Sequence, residues 1–180
     1  MEQFARIVKM TNQEWLENLQ TKKVAVFGLG GVGSYVVEAL VRNGIGEMVL
    51  VDHDKIDITN LNRQLYALHS TIGMNKVDVA KRRCLDINPN LKITTYQQFY
   101  LPDQGMEDIF SDCDFVVDAI DTVKAKIALI ENCHKLKIRI ISSMGTGNKL
   151  EPESFEIADD EVEIGLGIHG EPGTHREKMT

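Results

Sequence analysis

Four glycines, at positions 28, 30, 31 and 33, punctuate the stretch VFGLGGVGSYVVEAL (residues 26–40), between a short apolar run and an apolar helical pattern. A glycine-rich turn from strand into helix lets backbone amides approach phosphate oxygens, and the helix N-terminus adds positive potential. Asp52 ends the next apolar run, about 20 residues past the turn, where a carboxylate accepts hydrogen bonds from ribose hydroxyls. These residue types at this spacing predict a nucleotide site. Spacing alone leaves dinucleotide and mononucleotide both open, and such a turn also serves plain helix–strand packing. Gly31, directly after Gly30, removes a side chain at the helix entrance and leaves room for a bulky group.

The next polar loop, HDKIDITNLNRQLYALHSTIGMNK, carries Asn60, Asn62 and Arg63 and runs to Lys76, which opens a helix. Two cations and two carboxamides placed just beyond the ribose acid can reach the phosphate chain of a triphosphate. Arginine offers a fixed fork of donors and lysine a mobile point charge. VVDAIDT (116–122) then closes a strand with Asp118 and Asp121, at the C-terminal edge where α/β sheets take ligands. A carboxylate there suits Mg²⁺ bridging to phosphate. Singly, Arg63 and Lys76 read as solvated charges and Asp121 as a helix cap. Together with the turn and Asp52, they favour an ATP site in which charge builds on the α-phosphate. Hydride transfer fits poorly, because the chain after Ser143 is too short for a substrate domain.

These residues need a sheet to hold them. A capping box at Thr11 and Glu14 opens a helix over 11–20. Strands are predicted over 23–27, 47–52, 93–96, 114–119 and 139–143. Helices are predicted to follow the glycine turn as far as Gly44, then over 76–87, 106–110 and 123–136. Strands that alternate with helices, and that are nearly continuously apolar, indicate a Rossmann-like, doubly wound α/β fold. Its sheet is mainly parallel, with helices on both faces. The pattern fades after Phe155, which divides the chain into a domain over 1–157 and an extended tail over 158–180.

Composition narrows the function classes. Apolar content of 43% and charged content of 26% belong to a globular protein, and the net charge of −7 argues against a broad electrostatic footprint for nucleic acid. A local basic patch stays compatible with that charge. No apolar run reaches the ~18 residues of a membrane helix, and the N-terminus lacks a secretory pattern. Cys84, Cys113 and Cys133 form no CxxC pair and read as reduced, buried thiols of a cytoplasmic protein.

GLGGVG, VDHDKIDITNLNRQ, GMNKVDVAKRRCLDINP and VVDAIDT resemble the adenylating enzymes that include ubiquitin-like activating enzymes, ThiF and MoeB. Within that superfamily, GIGEMVLVDHD, DAIDTVKAKIALI and IISSMGTGNKLEP are most similar to the tRNA threonylcarbamoyladenosine dehydratases, over residues 4–157. The resemblance implies that Gly28, Gly30, Gly31 and Gly33 line the phosphates of ATP and that Asp52 holds the ribose. Thr59, Asn60, Leu61, Asn62, Arg63 and Lys76 then grip the triphosphate. Asp121 organises Mg²⁺ with Thr122 beside it, and Arg63, Lys76 and Asp121 carry catalysis. It also implies ATP-dependent adenylation of a carboxylate, with tRNA carrying a modified adenosine as the partner. A homodimer is implied too, in which an N-terminal arginine, here Arg6, reaches the other subunit's nucleotide. Activation of a ubiquitin-like sulfur carrier protein is the alternative, weakened by the absent CxxC pairs. A non-catalytic ATP-binding scaffold is another.

From about residue 158 the sequence resembles a different family, the substrate-binding subunit of dihydroxyacetone kinase. There the histidine of GIHGEPG forms a covalent hemiaminal with the ketone, and His169 matches it. The rest of that fold is absent, so His169 is expected to be inert. His169, Glu171 and His175 also have a spacing that could bind a metal. The departure implies a hybrid chain that lacks its relatives' C-terminal region, binding ATP with impaired dehydratase turnover.

Overall fold

β1 (Lys23–Phe27) lies at the centre of a five-stranded sheet, and its neighbours set the position of every candidate site residue. The computed structural model describes residues 2–101 and 105–145, together with Ile157. β2 (Glu47–Val51), β3 (Lys92–Tyr96), β4 (Phe115–Asp118) and β5 (Arg139–Ser142) join β1 in the order β3-β2-β1-β4-β5, all pairs parallel. The order reverses between β1 and β4, which opens a crevice beyond their C-terminal ends. Phe27 pairs with Asp118 in register, so the glycine turn and the Asp118–Thr122 loop leave the sheet side by side.

Alternate residues of β1 feed two cores. Val24 and Val26 pack on one face with α3 (Gly33–Asn43) and α4 (Lys76–Ile87) through Val37, Val41, Val77, Ala80 and Cys84. Ala25 and Phe27 pack on the other with α5 (Val123–Leu136) through Ala125, Leu129 and Cys133. Burial on both faces explains why the strands read as continuous apolar runs. Gly44 ends α3 in the left-handed conformation, φ 93°, as a C-terminal glycine should.

The first helices differ from the sequence expectation. α1 (Ala5–Met10) was not anticipated, and α2 (Gln13–Thr21) is capped by Asn12, whose side chain accepts from the Trp15 amide at 2.7 Å. Thr11 closes α1 instead, donating its hydroxyl to the Ile7 carbonyl. Asn12 and Thr11 both have cap chemistry, and the preceding short helix consumes the threonine. The expected helix over 106–110 is a single 3₁₀ turn, Glu107–Ile109.

The chain divides into two compact units, Met1–Ser143 and Met144–Thr180. Within the second, only Met144, Gly145 and Ile157 are described, so His169, Glu171 and His175 lie outside the described residues. Among the described residues no helix is long and apolar enough to cross a membrane. All three cysteines are buried, and burial pushes the Cys84 and Cys113 thiols up to about 12.

Candidate functional site

The four glycines of the turn fall into two kinds. Gly28 adopts φ +86°, and a Cβ there would stand 2.5 Å from the Ala119 carbonyl oxygen. A Cβ on Gly33 would overlap the Gly28 carbonyl. These two are required by the close passage of backbone past backbone. Gly30 and Gly31 are different: a Cβ on either meets only ordinary contact, 3.8 Å to Gln64 Nε2 and 3.5 Å to Arg63 Cγ. The fold does not need them bare. The opening they leave faces the loop that carries Arg63.

That opening lies at the N-terminus of α3, where no side chain caps the first turn. Ser34, buried in that turn, donates its hydroxyl to the Gly30 carbonyl and accepts from the Leu65 amide. The Tyr66 hydroxyl donates to the Ser34 carbonyl. These bonds fasten the loop after β2 to the phosphate turn. Ser34 and Gln64 were not singled out from sequence, although the serine directly following GLGGVG was the available signal.

Asp52 follows β2 and is almost fully buried. One carboxylate oxygen accepts from the Leu29 amide at 2.6 Å, inside the glycine turn, and the other from the Asp54 amide at 2.8 Å. Each oxygen keeps a lone pair, so hydroxyl donors can still be accepted. Lys76, the first residue of α4, is equally buried. Its ammonium lies 2.7 Å from Asp54 and 3.8 Å from Asp52. Asp54 was missed from sequence because a carboxylate two residues past a strand end reads as a solvated loop acid.

Thr59 and Asn60 lie in the 3₁₀ turn Ile58–Asn60. Asp57 caps this turn, and the Thr59 amide and then its hydroxyl hold the Asp57 carboxyl below the usual carboxylate range. The carboxamide oxygen of Asn60 accepts from the Asp57 amide, while Leu61 packs against the core. Asn62 and Arg63 are exposed, and the guanidinium donates to the Thr59 carbonyl and to Asn62. Arg63 thus stands beside Gly31 on a self-bonded loop.

Across the crevice, Asp118 and Asp121 part company. Asp118 is fully buried and receives Lys126 at 2.6 Å, the Ser142 hydroxyl at 2.5 Å and the Ile120 amide at 3.0 Å. Lys126 gives its two other protons to Ser142 Oγ and the Ser143 carbonyl. This closed network ties β4, α5 and β5 together. Asp121 is exposed, and among the described residues its carboxylate meets only the Thr122 hydroxyl, at 3.4 Å. The N-cap of α5 is Thr122, without a side-chain cap bond, so Asp121 caps nothing. A hard, unshared carboxylate at this edge fits Mg²⁺. Asp52, His53 and Asp54 also converge, but the Lys76 ammonium already pairs with Asp54 there.

A turn with two spare glycines, a buried carboxylate–lysine pair and an exposed arginine surrounds the crevice at the strand-order reversal. The ThiF family pattern matches residues 3–157. The chain belongs to the ThiF family. It is 46% identical over 159 residues to the tRNA threonylcarbamoyladenosine dehydratase of Bacillus subtilis, covering 88% of this chain and 63% of that protein. The Haemophilus influenzae protein of the same name is 40% identical over 158 residues, 88% of this chain and 60% of its own length. Among solved structures, the Escherichia coli tRNA N6-threonylcarbamoyladenosine dehydratase in complex with ATP superposes with a TM-score of 0.81 at 35% identity. The match covers 84% of this ThiF-family chain and 63% of that one. The chain therefore spans about three fifths of the length of the curated relatives it matches.

Proposed function

We propose that this chain binds ATP in the β1–β4 crevice and adenylates the carboxylate of N6-threonylcarbamoyladenosine in tRNA, leading to its cyclised form. The reading is carried by one observation. Gly30 and Gly31 are bare where the fold does not need them, Gly31 beside Arg63 and Gly30 beside Gln64. The 46% identity to a dehydratase supports the choice of substrate.

A carboxylate oxygen of the threonyl group attacks the α-phosphorus, the bond to the bridging oxygen breaks, and pyrophosphate leaves. An internal nucleophile of the same modification then attacks the acyl carbon, loses its proton and expels AMP. The nucleoside has lost one water. In this chain the amides of the glycine turn and the α3 N-terminus hold phosphate oxygens. Asp52 accepts from the ribose hydroxyls. Arg63 and Lys76 receive the charge that builds as pyrophosphate departs. Asp121, with Thr122 beside it, would hold Mg²⁺, which neutralises phosphate charge when bound. A homodimer with Arg6 reaching the partner's nucleotide, and a cytoplasmic setting, complete the reading.

Pyrophosphate exchange into ATP, assayed with modified tRNA and separately with a carrier-protein C-terminal peptide, tests it. Exchange with tRNA alone is expected. Exchange with the peptide alone would transfer the chain to carrier activation, and ATP binding without exchange would leave a scaffold.

A further inference from the structure

A cavity of about 360 Å³ lies beside the nucleotide crevice but outside it, lined by Lys55, Met74, Asn75, Asp78, Val79 and Arg82. One wall is a short antiparallel bridge between residues 54–56 and 74–76. The Ile56 amide donates to the Met74 carbonyl, the Lys76 amide donates to the Asp54 carbonyl, and Lys55 pairs antiparallel with Asn75. Asp54 and Lys76 meet each other at the nucleotide crevice, whereas Lys55 and Asn75 face the cavity. The two sites adjoin through residues 54–56 and 74–76.

The cavity's chemistry is mixed. Lys55 and Arg82 are both exposed, and neither forms an ion pair among the described residues. Arginine presents a fork suited to phosphate oxygens and lysine a point charge. Asp78 faces the same space, with one oxygen accepting from Asn75 at 2.8 Å. A site for a bare anion gains nothing from that carboxylate. A ribose-phosphate does, because its 2′-hydroxyl needs an acceptor beside the cations that hold its phosphate. Met74 is 42% exposed and adds an adaptable apolar surface for the sugar and base.

We propose that this cavity holds a ribonucleotide flanking the reacting base, with Lys55 and Arg82 on its phosphate and Asp78 on its 2′-hydroxyl. The inference rests on the tRNA reading above. It gives a negatively charged chain a local way to hold RNA beside the Asp54–Lys76 pair.

The test uses the full chain and three binding measurements: ATP by calorimetry, modified tRNA by filter binding, and short RNA and DNA oligomers of one sequence. Lys55→Ala combined with Arg82→Ala is expected to weaken tRNA binding about tenfold and to lower the salt slope by about 1, with ATP affinity unchanged. Asp78→Ala is expected to narrow the preference for RNA over DNA. If the double variant binds tRNA like the parent, the cavity assignment is overturned while the tRNA reading stands. If the parent binds ATP but no tRNA, both fall together.

Discussion

The Lys76 ammonium sits 2.7 Å from Asp54 and 3.8 Å from Asp52, inside a site where its own side chain is almost fully buried. Of its three protons one is firmly committed, to Asp54, so it can turn another toward phosphate without leaving its carboxylates. Lys76→Met removes that charge and keeps the length. ATP affinity should fall at least tenfold, about 1.4 kcal/mol, by calorimetry. Asp52 retains its two amide donors, so the variant should still unfold cooperatively. Unchanged ATP affinity would remove Lys76 from the site.

The glycine turn makes a sharper comparison. Gly28→Ala forces a side chain into φ +86° and 2.5 Å from backbone oxygen, and Gly33→Ala collides with the Gly28 carbonyl. Both should lower the thermal midpoint strongly, in the range of the largest single-site losses, above about 4 kcal/mol. Gly30→Ala and Gly31→Ala meet only ordinary contacts. Thermal stability within about 1 kcal/mol of the parent is expected for them, with ATP binding lost. Parent-like ATP binding by Gly31→Ala would show that its bareness serves nothing.

Asp121 and Asp118 should separate just as cleanly. Asp121 is exposed and holds no cap or ion pair among the described residues, so Asp121→Ala should leave the melting curve in place. It should abolish the Mg²⁺ dependence of ATP binding, measured with and without the metal. Lys126→Met instead strands the Asp118 carboxylate, fully buried, without its cation. Breaking such a pair costs about 3–5 kcal/mol, and chemical denaturation should report a loss of that size.

The strands and the long helices were legible because both sheet faces are covered, so apolar runs, helical spacing and a terminal glycine all pointed the same way. α4 and α5 begin and end where Lys76, Ile87, Val123 and Leu136 were predicted. The start of the chain was not, since Thr11 and Asn12 offer the same cap chemistry and only the packing of α1 decides between them. At the site, residue types showed through but partnerships did not. Asp118 and Asp121 look alike three residues apart, and only the fold delivers Lys126 to one of them. The Lys55–Arg82 cavity is likewise invisible in sequence, because it depends on the 54–56 segment pairing with residues 74–76.

The last prediction concerns acid. Glu38 of α3 receives Arg83 of α4 at 2.7 Å and Arg42 of its own helix at 2.6 Å. Arg83, with Arg42 adding to it, holds the Glu38 carboxyl below its ordinary value of 4.5, against the upward push of burial. A carboxyl whose native pKa is depressed adds stability above its unfolded value and loses it as pH falls through the native one. The clamp between α3 and α4 should therefore be whole at pH 7 and weaken below about pH 4.5. Glu38→Gln keeps the shape and removes the charge. Its melting temperature should lie below the parent's at neutral pH, and the gap should close as the pH drops below that value. A gap constant from pH 7 to pH 3 would mean that Glu38 works through packing, and the ionic account of the clamp would fail.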